Sequence, residues 1–240
     1  VARRRTGSLS RERRSHLAPR NALAVTALLL ADGGLEAATA GTLRARWSFH
    51  EPDGVREVVI HGQEVPVEFD VTAPIAWELA DTRPWENELP AVMDSDAAGV
   101  RNALYLTEPY QPGRIPVLFV HGTASSPARW AEILNELHDD GRIAGSCQFW
   151  IYQYGSGAPV LASAASLRAS LAKVLRDLDP EGRDDALRAM VVVGHSQGGL
   201  LTRLLATDSS DRFWRIVSEL PVDEVDLSDS ERRYADNVFF

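Results

Sequence analysis

One cysteine, Cys147, stands in a chain of 240 residues. A lone thiol excludes a disulfide framework within the chain, and no cysteine spacing builds a zinc site. Followed by Gln148, Phe149 and Trp150, it reads as a small hydrophobe in a strand. Lysine is as scarce: Lys173 is the only one, so arginine carries the basic charge. The histidines His16, His50, His61, His121, His138 and His195 form no HExxH or paired spacing, which argues against a metal catalyst, and no cofactor is expected. No apolar run is long enough to span a bilayer. The most consequential absence is local: no histidine follows Ser196.

What is present suits a globular protein, with 45% apolar residues and length for one large domain or two small ones. The formal charge of −9 is unevenly spread. Arg3, Arg4, Arg5, Arg11, Arg13, Arg14 and Arg20 face only Glu12 in the first twenty residues, leaving the remainder near −15. A net-acidic body argues against a nucleic-acid partner, and the basic start reads as a solvated or targeting segment. Behind it, residues 21–31 form an apolar run followed by Ala38-Thr39-Ala40. Two readings stand: the core of a secretory signal, or a buried strand or helix of an amino-terminal extension. Cytoplasm and cell envelope both remain open, as do membrane association and oligomeric state.

The most informative stretch is Val191-Val192-Val193-Gly194-His195-Ser196-Gln197-Gly198-Gly199. The run at 190–193 is short and β-branched, as a buried parallel strand should be. After the serine, Leu200, Leu201, Leu204 and Leu205 recur at helical spacing. A serine between glycines at a strand-to-helix junction is a nucleophile elbow, where the residues two before and two after must be small. Gly194 and Gly198 meet that demand. A bare G-x-S-x-G arises by chance in roughly one chain in ten of this length, so the flanking strand and helix carry the argument.

A second motif lies upstream, where Ile115-Pro116-Val117-Leu118-Phe119-Val120 opens into His121-Gly122-Thr123-Ala124-Ser125-Ser126-Pro127. Acyl transfer needs two hydrogen-bond donors at the developing oxyanion. A His-Gly-x loop after an early strand supplies one backbone N–H, and the residue after the nucleophile supplies the other. Those donors would be Thr123 and Gln197, with His121 ordering the loop by hydrogen bonding. An ordinary small-residue βα turn is the plainer reading.

On Val120-His121-Gly122-Thr123 and Gly194-His195-Ser196-Gln197-Gly198-Gly199, residues from about 100 to 240 resemble the first half of an α/β-hydrolase domain of the bacterial lipase and esterase type. The longer runs 121–130 and Asp211-Arg212-Phe213-Trp214 are similar to an uncharacterised group of such hydrolases with an amino-terminal extension. The resemblance implies an ester-hydrolysing serine enzyme acting on a small-molecule or lipid ester, with Ser196 as nucleophile. It divides the chain into 1–41, a basic leader or start of the extension; 42–99, a β-rich extension and linker; and 100–240, the partial hydrolase domain.

The fold class expected is α/β, a partial parallel sheet with flanking helices behind a small β-rich extension. Strands are expected near 103–107, 115–120, 147–153 and 190–194, with helices near 127–139, 159–178 and 197–207. Trp130, Ile133, Leu134 and Leu137 share one helical face, as do Leu161, Ala164, Leu167, Leu171 and Leu175. In the extension, Leu43, Ala45, Trp47 and Phe49 alternate as in a half-buried strand, and the run at 55–60 with Val65, Val67 and Phe69 reads as a hairpin. Residues 73–95 read as a partly helical connection. Phe213, Trp214, Ile216 and Val217 suggest a short helix over the elbow, either a lid or plain structure, before an acidic run at 223–231 that reads as a solvated loop entering a helix.

A serine hydroxyl needs a base within about 2.6–3.2 Å. His195 adjoins Ser196 and should point away from the elbow tip, His138 ends a surface helix, and His16, His50 and His61 lie in the extension. Asp208, Asp211, Asp223, Asp226, Asp229 and Asp236 come too early to match the family acid. The expectation is therefore that Val238-Phe239-Phe240 enters the next central strand and that acid and base lie beyond this sequence, leaving this chain alone nearly inactive with an exposed sheet edge. Acyltransferase or thioesterase chemistry would use the same residues, and a non-catalytic binding protein with a relic elbow is the alternative of another class.

Overall fold

The computed structural model describes residues 2–3, 16–17, 22–32, 34–51, 57–60, 62–68, 77 and 102–239. Its centre is a four-stranded sheet built from β7 (Ala103–Leu106), β8 (Ile115–Val120), β9 (Cys147–Gln153) and β10 (Val191–Gly194), in the order β10-β8-β9-β7. β8 runs parallel to both β9 and β10, with Phe119 opposite Val193 and Ile151. The expectation of a purely parallel sheet needs correction, because β7 runs antiparallel to β9, with Leu106 opposite Trp150. The sheet is mixed. Short apolar strands read alike in either direction, so only the pairing distinguishes them.

Period-two alternation along β8 and β9 sorts the core onto two faces. Leu118, Val120, Trp150 and Tyr152 pack on one side with Ala164, Leu167, Val174 and Leu178 of α4 (Val160–Leu178) and Leu201 of α6 (Gln197–Leu205). Phe119 and Phe149 face the other way, against Trp130 and Leu134. Trp130 closes a 3₁₀ turn (Pro127–Trp130), and Leu134 belongs to α2 (Ala131–Asp139). The single helix expected at 127–139 is thus split, and Ile133, expected on its core face, is exposed. Inside this core Gln148 is fully buried yet satisfied. Its Nε2 donates to the carbonyls of Gln111 and Arg114 at 3.1 and 2.7 Å, and its Oε1 accepts from the Gln111 N–H.

β10 is an edge strand of this sheet, and Val191 is exposed rather than buried as the apolar run suggested. Leu200 is exposed while Leu201 is fully buried, so the core face of α6 is narrower than its leucines imply. Around the central sheet two short helices escaped the sequence reading: α3 (Gly141–Ser146), capped by the Asp140 carboxylate accepting from the Arg142 N–H, and α5 (Asp185–Arg188), capped by Asp184. The chain then forms α7 (Trp214–Val217) and α8 (Asp229–Phe239). A strand was expected to begin at Val238; instead Val238 and Phe239 close the helix α8, with Ala235 and Val238 buried and Tyr234 outward. Charged residues at 229–233 supply helical spacing that the terminal Val-Phe-Phe does not reveal.

In the extension the hairpin expected near 55–69 is present, while the strand expected near 43–49 finds its partner upstream. β3 (Thr26–Asp32) runs antiparallel to β4 (Arg44–His50), joined through α1 (Gly34–Thr39), whereas β5 (Glu57–Ile60) makes its own tight hairpin with β6 (Gln63–Pro66). The run at 21–31 is therefore mainly strand, and it is only partly covered: Leu29 is exposed. β1 (Ala2–Arg3) pairs with β2 (Ala22–Leu23). Leu17 bridges to Leu106 in parallel sense, and His16 Nε2 meets Asp177 at 2.7 Å on α4, tying this segment to the main sheet. The connection expected at 73–95 lies outside the described residues apart from Trp77, as does His61.

Candidate active site

Two loops leave the carboxyl ends of neighbouring parallel strands and meet. β10 ends at Gly194, the His195 N–H donates to the Val120 carbonyl at 3.0 Å, and α6 begins one residue after Ser196. Ser196 has φ +54° and ψ −120°, a left-handed conformation that costs a side-chain-bearing residue of order 1–3 kcal/mol. Such strain persists only where the surroundings dictate it, and here they do. A Cβ on Gly194 would stand 2.4 Å from the Gly198 carbonyl oxygen, and one on Gly198 would stand 2.2 Å from that of Val120. Both positions admit only glycine. Gly199 is different, since its Cβ would meet nothing closer than 3.5 Å. The strand-to-helix turn is tight because the two backbones touch, and Ser196 is left exposed at its tip.

The loop after β8 lies directly on this turn. A Cβ on Gly122 would come within 2.9 Å of Ser196 Cβ and 3.1 Å of His195 Nδ1. Thr123 follows, and its hydroxyl donates to Gln197 Oε1 at 2.7 Å, joining the two residues expected to supply oxyanion donors. Among the described residues neither the Thr123 nor the Gln197 N–H has a hydrogen-bond partner. Ala124, at φ +49°, is also left-handed, and its N–H donates to Ser156 Oγ at 3.1 Å. Ser156 is buried in the turn after β9 and went unnoticed in the sequence, although Gly155-Ser156-Gly157 has the small-residue signature of a third loop at the same sheet end.

His121 is buried and committed. Nδ1–H donates to the Gly122 carbonyl at 3.0 Å, leaving Nε2 to accept the Tyr154 N–H at 3.4 Å. Its ring stacks on Tyr154 at 4.5 Å, and the Tyr154 hydroxyl donates to the His121 carbonyl at 2.9 Å. Burial holds the imidazole pKa below its ordinary 6.5, partly offset by the bond to Gly122, so the ring is a neutral strut. The same burial pushes the Tyr152 phenol up to about 12 and raises Tyr154 as well. His195 is exposed, with its ring edge-on to Trp130 at 6.5 Å. His138 packs on Phe149, and His50 bonds Ser48. Among the described residues, none hydrogen-bonds the Ser196 hydroxyl. No group of three or more metal-ligating side chains occurs among them either.

A strained serine at a glycine-clamped strand-to-helix turn, capped by a small-residue loop on a mixed sheet with flanking helices, is an arrangement compatible with the α/β-hydrolase class. The profile of the Chlorophyllase family matches residues 83–239, about two thirds of the chain, and the chain belongs to that family, an ester-hydrolase family within the α/β-hydrolase superfamily. Neither curated proteins nor solved structures provide a match. The likeness to α/β-hydrolases therefore stands at the superfamily level, and the family is Chlorophyllase rather than a particular lipase or esterase group.

Proposed function

We propose that Ser196 is the nucleophile of a carboxylic ester hydrolase. The observation that carries this reading is its left-handed backbone, enforced by Gly194 and Gly198 and overlaid by Gly122. Ser196 Oγ attacks the ester carbonyl, its proton passes to a general base, and the alcohol leaves as the acyl-enzyme forms. The N–H groups of Thr123 and Gln197 receive the oxyanion, each such donor being worth about 2.7–4 kcal/mol. Family membership supports an ester of a hydrophobic alcohol, of the kind the name Chlorophyllase denotes.

None of the described histidines hydrogen-bonds the Ser196 hydroxyl: His121 has both nitrogens occupied, His16 is held by Asp177, His50 bonds Ser48, His138 packs on Phe149 and His195 lies edge-on to Trp130. In this superfamily acid and base follow the serine in chain order, and residues 197–240 contain no histidine. The test is turnover of p-nitrophenyl esters of graded chain length by the intact protein and by Ser196→Ala. Loss of kcat/KM by about 10⁴-fold or more is expected. Turnover retained by the variant contradicts the assignment.

A further inference from the structure

We propose that the open face of the β3–β4 hairpin, together with the positive charge of the amino-terminal sequence, is a docking surface for an anionic lipid bilayer. Register places Leu29 opposite Trp47, Ala27 opposite Phe49 and Ala31 opposite Ala45, so strand alternation gathers six apolar side chains on one face without a charge among them. That face is the open one. Leu29, Trp47 and Phe49 are 55%, 60% and 68% exposed, whereas Leu28, Leu30, Ser48 and His50 on the other face are half-buried. A sheet face presented to water is ordinarily polar. Aromatic rings favour the bilayer interface, where an apolar body meets lipid and the strand edges still reach water.

Charge selects which surface. Arg3 pairs with Ala22, and β2 runs within three residues into β3, so Arg3 lies at the end of the hairpin that carries Phe49. The first fifty-one residues hold nine arginines against Glu12, Asp32, Glu36 and Glu51, in a chain whose formal charge is −9. An anionic surface attracts this end and repels the acidic remainder, which orients the molecule with the aromatic face toward lipid. A nucleic acid would engage the arginines without needing Leu29, and a second copy of the chain would cover the apolar face without needing the arginines. An anionic bilayer uses both. This inference does not depend on the role of Ser196.

The experiment is co-sedimentation of the intact protein with phosphatidylcholine vesicles, with and without phosphatidylglycerol, at low and high salt. Trp47→Ser/Phe49→Ser and Arg3→Gln/Arg4→Gln/Arg5→Gln are compared with wild type. Binding should require phosphatidylglycerol, weaken with salt, and fall by about tenfold or more in each variant. The conservative Trp47→Phe keeps the face intact, and quenching of tryptophan fluorescence by brominated lipid should drop in it. Equal binding to neutral and anionic vesicles, no binding, or undiminished quenching in Trp47→Phe overturns the proposal. So does a lipid-free dimer that the Trp47/Phe49 variant dissociates, or RNA binding that the same variant leaves intact.

Discussion

β9 and β4 carry the same ingredients and meet opposite fates. Each is seven residues long with a Trp and a Phe, yet Trp150 is fully buried and Trp47 is 60% exposed. β9 lies between β8 and β7, with α4 on one face and the Trp130 turn on the other; β4 has β3 as its sheet neighbour. Apolar alternation identifies a face. Whether that face is covered depends on neighbours that the strand's own residues do not encode.

The sharpest way to break this comparison is to truncate both tryptophans. Trp150→Ala should cost about 3–5 kcal/mol in denaturant unfolding, and Trp47→Ala less than about 0.5 kcal/mol. Similar losses at the two positions would mean that the hairpin face is covered after all.

Glycines extend the contrast. Gly198→Ala forces a Cβ to 2.2 Å from the Val120 carbonyl and should destabilise by about 3 kcal/mol or more, while Gly199→Ala, with 3.5 Å of clearance, should be near neutral. In the extension, Gly62 at φ +80° turns β5 into β6 with nothing within 4 Å of a Cβ. Gly62→Ala should therefore cost only about 1 kcal/mol, from backbone conformation alone. Parity between Gly198→Ala and Gly62→Ala in a melting experiment would refute the steric account of the elbow.

A smaller effect is expected where Thr123 is joined to Gln197. Thr123→Val removes the hydroxyl at 2.7 Å and should cost about 1 kcal/mol of stability. On the proposed reading it also lowers kcat about fivefold with little change in KM, because the loop still binds but holds the oxyanion less well. An unchanged kcat would separate this bond from catalysis.

The smallest effect is with pH. His121 has its pKa lowered by burial, so below the unfolded value of 6.5 the unfolded chain binds the proton first. Stability is then level above pH 6.5 and declines as pH falls from 6.5 toward the folded pKa. Melting temperature followed from pH 8 to 5 should show that decline, and His121→Gln should flatten it. A flat wild-type profile would contradict a neutral buried imidazole.

The elements around the site were legible because their signals are short-range. β8, β9, β10 and the start of α6 follow from β-branched runs ending at glycine, and Gly194 and Gly198 from the demands of the turn. The Ser196 conformation is the geometric counterpart of that reading. The long-range relations were not legible. Nothing local in Ala103–Leu106 tells that β7 runs antiparallel, and nothing in β4 tells that it joins β3 rather than the run near 57. Ser156 supports the Thr123-Ala124 loop from thirty-two residues away, a contact visible only once β8 and β9 are neighbours.

The central claim is tested most directly by treating the intact protein with a fluorophosphonate and mapping the adduct by peptide mass spectrometry. A single modification on Ser196, prevented by a competing ester substrate, is the predicted result. Modification at another serine, with Ser196 unlabelled while ester hydrolysis is lost, would contradict it.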